Sequence, residues 1–180
     1  MIALAKTRQL TFSSAGQGSI NHLAGELFAA LTGANLLHVP YRGGGPATGA
    51  VIAGDVDAIF MVPVVAAPFV RSGKLRALGV TSAARSAALP EVLTVEEAGV
   101  PGYRVSSWNG VLVPAGTPRE AIAALNAAFN RAMDDPVVRR KLVEAGYDIE
   151  GGEPERFTKW IAAELAKWGP VVKRAKVRAE

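Results

Sequence analysis

Apolar positions along the chain switch between continuous short runs and helical spacing, and the switching predicts strand, turn and helix in regular succession. Leu10, Thr11 and Phe12 suit a short buried strand, and Ser13 to Ser19 is a small polar turn. Ile20, Leu23, Ala24, Leu27 and Phe28 then recur at helical spacing, so a helix begins near Ser19 and closes at Thr32 and Gly33. Asn35 to Val39 reads as a second strand, Pro40 to Pro46 as a loop, Ala47 to Ile52 as a helix ended by Gly54, and Val56 to Val62 as a third strand. Val64 to Arg71 gives a helix interrupted by Pro68, Leu75 to Val80 a fourth strand, and Pro90 to Ala98 a short helix stopped by Gly99, Pro101 and Gly102. Ile2 to Lys6 has the pattern of a last helical turn. Strands apolar throughout, rather than alternating with polar positions, indicate a mainly parallel sheet covered on both faces, so the fold class is α/β.

From Tyr103 the character changes. Tyr103 to Val113 is a long extended segment, and Pro114 to Pro118 turns it into a helix over 119–133, with Thr117 as cap and Pro118 at the first helical position. Asp135 is placed to cap a further helix that starts with Pro136 and ends at Gly146. Tyr147 to Glu150 follows as a short strand, and Pro154 to about Arg174 as an amphipathic helix that Gly169 and Pro170 would kink or break.

Composition narrows the class. Hydrophobic residues at 49% against 20% charged are a globular composition, enough for a packed core in 180 residues as one domain or two small lobes, and the chain need not be disordered. Cysteine is absent, which excludes disulfide and thiolate chemistry. A net charge of +4 raises nucleic acid as a partner, but the basic residues are scattered apart from Lys173, Arg174, Lys176 and Arg178. Aromatic residues do not interleave with them to make stacking platforms, so no nucleic-acid partner is expected. No apolar run approaches a membrane span, and IALAKTRQL after Met1 lacks the parts of a signal peptide, so none is expected in the chain as written.

Two stretches could hold an anion. The first N–H groups of a helix have no internal partner and its macrodipole places positive charge there, so the Ser13 to Ser19 turn is a natural seat for a carboxylate or phosphate. Gly16 and Gly18 would let it approach the backbone. The same residues also suit a plain helix cap and chain turn. In Tyr41 to Pro46, consecutive glycines offer N–H groups and Arg42 a bidentate fork, although a flexible connection needs the same residues. The glycine spacing is neither that of a Walker loop nor that of a dinucleotide fingerprint. His22 and His38 are the only histidines, and neither comes with the acidic orienter and Gly-x-Ser-x-Gly elbow of a hydrolase. No His, Asp and Glu set has metal-ligand spacing, so neither metal nor cofactor is expected. Asp55 and Asp57 read as helix-end and strand-start residues, and Glu96 and Glu97 as solvated. Asn109, beside Trp108 in the extended segment, invites a ligand or a buried partner.

Taken in order, LTFSSAGQGSINHLAGELF, LLHVPYRGGGPA, AGDVDAIF, SGKLRALGVTSAARSAALPEVLTVEEAGVPGY and SSWNGVLVPAGTP resemble the substrate-binding proteins of tripartite tricarboxylate transporters, the TctC or Bug family of periplasmic receptors. The resemblance implies a type II periplasmic-binding-protein fold, two α/β lobes closing on a ligand. Residues 1–104 would be the second, ligand-binding lobe, 105–117 a hinge strand and turn, and 118–180 the C-terminal elements of an incomplete first lobe. The start of that lobe and the export signal before it would then be missing, as in a truncated product or fragment. It further implies a small organic carboxylate as ligand, a di- or tricarboxylate or an aromatic acid, delivered to membrane transporter subunits from a periplasmic location, with no enzymatic activity.

By position, Ser14, Ala15, Gly16, Gly18 and Ser19 match the family's carboxylate-holding turn, with His22 following on its helix. Tyr41, Arg42 and Gly43 match a loop that usually reads Tyr-Lys-Gly, and Arg42 preserves the charge. Met61 and Val62 stand where many relatives carry a polar Asp-Asn pair facing the ligand, which favours a plain or aromatic carboxylate over an amino acid. Asn109 completes the candidate set. Two other readings remain open, an enzyme acting on an anionic substrate and a relic that binds nothing. The apolar stripes Ile122, Leu125, Phe129 and Trp160, Ile161, Leu165, Trp168 lack a full sheet to cover, so self-association or local disorder of the C-terminal part is expected.

Overall fold

In a computed structural model, which describes residues 1–177, the strands β1 (Leu10–Ser14), β2 (Leu36–Pro40) and β3 (Ala58–Ile59) form a parallel sheet in the order β2-β1-β3. β1 is central and the best buried of the three, with Phe12, Ser13 and Ser14 fully enclosed between its neighbours and the helices. Phe12 lies in register with His38 on one side and Ala58 on the other. The helices are α1 (Ile2–Thr7), α2 (Ile20–Thr32), α3 (Gly44–Ala53), α4 (Pro63–Arg71), α5 (Arg119–Asp134), α6 (Pro136–Glu144) and α7 (Pro154–Arg174).

α2 starts where Ser19 caps it, accepting from the His22 N–H, and stops at Gly33 in the left-handed conformation, φ 67°. Its approach to the sheet is set by Gly25, where a Cβ would lie 2.3 Å from the Phe12 ring. Ala24 and Phe28 join Ala5, Leu10, Ala34, Val100, Tyr103 and Val105 in one core. Tyr103 is fully buried, meets Phe28 edge-on at 5.7 Å and donates its hydroxyl proton to the Ala24 carbonyl at 3.1 Å, which satisfies its one polar atom.

Several elements differ from expectation for local reasons. β3 is only two residues long. Before it, the Asp57 carboxylate takes the Thr11 N–H at 2.8 Å and Arg8 Nη2 at 2.6 Å, and after it Val62 is already the cap of α4 with Pro63 at its start. Asp57 therefore fastens β3 to β1, and Arg8 together with Thr11 holds its carboxyl down at about 2. Leu75 to Val80 is not a strand, because only Val80 finds a partner, bridging to Thr94. Pro90 to Ala98 forms turns rather than a helix: Thr94 and Glu97 exchange side-chain and backbone bonds locally, Arg85 pairs with Glu97, and Arg104 with Glu96. Neither glutamate is merely solvated. α3 begins three residues early, at Gly44. Neither Tyr103 to Val113 nor Tyr147 to Glu150 enters a sheet among the described residues. Thr117 does not cap α5: its hydroxyl donates to the Pro114 carbonyl and Pro118 stands at the helix boundary. Asp135 does cap α6, accepting from the N–H groups of Val137 and Val138. α7 runs through Gly169 and Pro170 without interruption.

The chain divides into two units, residues 1–107 with Trp168 onward, and Trp108–Lys167. Every buried apolar side chain belongs to the first unit. Within the second, Phe157 meets Trp108 edge-on at 5.5 Å and packs where a Cβ on Gly110 would stand, while Asn126 and Asn130 hold the Gly152 backbone. Its apolar residues stay open, Leu112 at 72% and Leu165 at 70% exposure.

Two outcomes follow from this packing. Gly25→Ala should cost about 1 to 3 kcal/mol, because the enclosed Phe12 ring cannot withdraw and overpacking outweighs the gain in helix propensity. Thermal or urea unfolding measures it, and an unchanged midpoint would refute the close approach. Amide hydrogen exchange should show its slowest protons in β1, β2 and α2 and none as slow in α5 and α6, where no apolar core forms.

Candidate functional site

The site grows from the carboxyl end of β1. After Ser14 the chain must turn sharply into α2, and Gly16 and Gly18 do so with φ values of 135° and 74° that other residues rarely adopt. The Ser14 hydroxyl accepts the Gly16 N–H at 3.1 Å, and the Ser19 hydroxyl donates to the Gly16 carbonyl at 2.7 Å while accepting from the His22 N–H at 3.3 Å. The neighbouring loop is stitched to this turn by its backbone, Tyr41 N–H to the Ser14 carbonyl at 3.1 Å and Gly43 N–H to the Ala15 carbonyl at 3.2 Å. α3 starts directly beyond, so the N–H groups of Gly44 and Gly45 in its first turn have no partner within the helix.

An open cleft of about 630 Å³ lies at this end of the sheet. Ala15 enters its wall from the β1 turn, Asn21 from α2, Gly44, Gly45 and Thr48 from α3, Phe60 and Met61 from the chain after β3, and Val65 and Phe69 from α4. Asn21 Nδ2 donates to the Phe60 carbonyl, tying α2 to that last segment. Ligands of parallel α/β sheets collect at the carboxyl ends of the strands, which is where this cleft opens.

Behind the turn sits a pair of stacked imidazoles. The rings of His22 and His38 are 3.7 Å apart and 12° from parallel, with Phe12 at 5.2 Å from His38. His22 Nδ1 accepts the Gly18 N–H at 3.1 Å, which leaves the proton of the neutral ring on Nε2, 3.6 Å from Glu26. His38 Nε2 is 2.6 Å from the Ser14 hydroxyl. Burial lowers both pKa values. His38 falls to about 4, burial being reinforced by the neighbouring His22, whereas Glu26 partly opposes the fall at His22. Stacked this closely, two charged rings would repel, and the turn is held by the neutral pair.

Of the residues singled out in the sequence, Ser14, Gly16, Gly18, Ser19 and His22 form one hydrogen-bonded cluster, with both hydroxyls engaged inside it. Ala15 and Met61 stand in the cleft wall, and Gly43 immediately precedes its glycines. Tyr41 is half-buried beside the turn. Arg42 is exposed and joins no ion pair among the described residues. Asn109 is exposed and belongs to the second unit. Sequence reasoning missed the company of His38, which the parallel pairing of Asn35 to Val39 with Leu10 to Ser14 would have put beside β1. It also missed Val65 and Phe69, four apart on one helical face.

Residues 1–177 match the family described as tripartite tricarboxylate transporter family receptor, TctC. The chain belongs to that receptor family. It is 40% identical over 172 residues to the UPF0065 protein of the tcbD-tcbE intergenic region of Pseudomonas sp. strain P51, covering 95% of this chain and 51% of the relative. Among solved receptors, an R. palustris protein with adipate superposes with a TM-score of 0.79 at 35% identity, over 98% of this chain and 60% of its own. MatC from Rhodopseudomonas palustris with bound malate gives 0.70 at 34% identity, over 91% and 56%. The fold is thus the α/β fold of these periplasmic binding proteins, and the chain spans about half the length of the Pseudomonas relative. Among the described residues no helix is long and apolar enough to cross a membrane, and no three His, Cys, Asp or Glu side chains are grouped as metal ligands.

The histidine pair makes stability depend on pH with a defined sign. Both pKa values are lowered on folding, so the unfolded chain binds more protons below the ordinary value of 6.5. Stability should be constant above that pH and fall as pH drops from 6.5 towards 4. Each ring contributes at most the one-proton slope of about 1.4 kcal/mol per pH unit, and only over the range between its folded and its ordinary pKa. Urea midpoints at pH 7, 6 and 5 should decline, and the decline should flatten in His38→Gln. A midpoint independent of pH over that range would refute the neutral stacked pair.

Proposed function

We propose that this chain is a solute receptor that binds a small organic carboxylate and presents it to the membrane subunits of a tripartite tricarboxylate transporter from the periplasm. The observation that carries the reading is the convergence of the Ser14 to Ser19 turn and the Gly43 to Gly45 start of α3 at the carboxyl end of a parallel sheet. Relatives solved with adipate and with malate bind dicarboxylates, which supports an acid as the class of ligand.

On this reading the Ala15, Gly44 and Gly45 N–H groups face the carboxylate, while Ser14, Gly16, Gly18, Ser19 and His22 hold the turn in shape. Tyr41 and Gly43 place the second loop, Arg42 supplies a cationic field, Met61 borders the ligand body, and Asn109 contributes from the hinge segment. Residues 1–104 are the ligand-binding lobe, 105–117 the hinge, and 118–180 part of the opposing lobe. The bare apolar surface of the second unit supports self-association or cover by a partner.

An enzymatic reading is disfavoured by the same geometry. The Ser14 hydroxyl is fully buried, and the one carboxylate paired with an imidazole among the described residues, Glu26, faces His22 rather than the His38 that touches the serine.

Titration calorimetry of the chain with adipate, malate and aromatic acids should show saturable binding without product. Ser19→Ala removes two neutral bonds that shape the turn, of about 1 kcal/mol each, so affinity should fall by up to about thirtyfold. Arg42→Ala should bind more weakly and lose part of its dependence on salt. Absence of heat with every acid would overturn the receptor reading, and an unaltered salt dependence in Arg42→Ala would place that residue on an ordinary solvated loop.

A further inference from the structure

We infer that the ligand is a carboxylate whose body is continuously apolar, a straight aliphatic chain or an aromatic ring, and that hydroxylated polycarboxylates are discriminated against. This rests on the receptor reading above and narrows it. The cleft wall beyond the glycine N–H groups is built from Ile52, Ile59, Phe60, Met61, Val65 and Phe69, and none of the residues lining the cleft is charged. A second carboxylate of a short polyacid would meet no cation there.

The two polar side chains in the wall are already held by backbone. Asn21 donates to the Phe60 carbonyl, and Thr48 donates its hydroxyl proton to the Gly44 carbonyl at 2.8 Å. A ligand hydroxyl turned towards Met61 or Val65 would exchange water for methyl and thioether groups, which is unfavourable.

Length points the same way. Gly45 and Ile52 both line the cleft and are seven residues apart on α3, so the wall extends on the order of 10 Å from the N–H groups. That matches a six- to eight-carbon chain or a phenyl ring on a short arm. The wall is also uncovered, with Val65 at 51% and Val62 at 45% exposure, so an apolar body has surface left to bury.

The test is calorimetry on the full chain with hexanoate, phenylacetate, malate and citrate at one pH and ionic strength, repeated in Val65→Thr and Val65→Asp. Val65 is half exposed in the first turn of α4, where an acidic residue is favourable, so both variants should keep the parent melting temperature. Hexanoate or phenylacetate should bind at least tenfold tighter than malate and citrate, and their affinity should drop several-fold in Val65→Thr and more than tenfold in Val65→Asp. Tighter binding of malate or citrate would overturn this inference and leave the carboxylate receptor standing. Apolar acids that bind equally well in all three proteins would overturn the assignment of this cleft. Failure of all four acids to bind would overturn the receptor reading itself, and this inference with it.

Discussion

The contact on which the first unit depends is the seating of the α2 backbone on the Phe12 ring. Glycine at position 25 removes the only atom that would keep them apart, and the ring, fully enclosed, then touches His38 on the neighbouring strand and Phe60 beyond β3. One side chain therefore fixes how deep the helix sits, where its first turn lies relative to the strand ends, and how His22 comes to stack on His38. Were α2 to sit farther out, the imidazoles of His22 and His38 would separate. The capped end of the helix, and with it the Ser14 to Ser19 turn, is thus positioned by an apolar contact between one and two turns away from it.

That arrangement explains why the polar residues of the turn are mostly concerned with one another. A buried hydroxyl or imidazole without a partner is costly, and here each has one: Ser14 bonds His38 Nε2 and the Gly16 N–H, Ser19 bonds the Gly16 carbonyl and the His22 backbone N–H, and His22 Nδ1 accepts the Gly18 N–H. Positive potential at the cleft then comes from backbone dipoles, which need no counter-ion and cannot be titrated away, rather than from a buried cation. The neutral histidines suit this design: they order the loop without adding a charge whose burial would have to be offset. The exposed Arg42 can add a longer-ranged field without any such burial.

The first seventy residues were the most legible part of the sequence because local signals and tertiary structure agree there. Ser19 caps, Gly33 and Gly54 stop helices, and the apolar runs at Leu10 and Leu36 pair as parallel strands. Legibility failed where a side chain took over a backbone bond. Asp57 occupies the Thr11 N–H that a longer β3 would have used, and Thr94 with Glu97 closes a local ring of bonds where helical spacing alone had suggested a helix. The histidine pair was invisible for a different reason. His22 and His38 are sixteen positions apart on different elements, and only the β1–β2 register together with the depth of α2 brings their rings within 3.7 Å. Gly16 and Gly18 were legible as turn residues, yet which N–H groups of the two loops remain open depends on stitching between the loops, and that is a property of the fold.

The two units also differ in what holds them. The first has a core in which Phe12, Phe28 and Tyr103 pack against small residues, so its helices are amphipathic against something. The second has equally amphipathic helices, well capped by Asp135 and laced by Asn126 and Asn130, but no apolar side chain in it reaches full burial. Capping and hydrogen bonds specify where helices begin and how a loop is gripped, yet each contributes only about 1 kcal/mol, while burying a large apolar side chain contributes about 1.5 to 3. Local polar bonding can therefore define the geometry of Trp108–Lys167 without making it a strongly cooperative unit. A segment of that kind becomes rigid only when its apolar stripes are covered. The asymmetry accordingly leaves the candidate cleft on the unit that has a core, and the second unit's order dependent on whatever surface it meets.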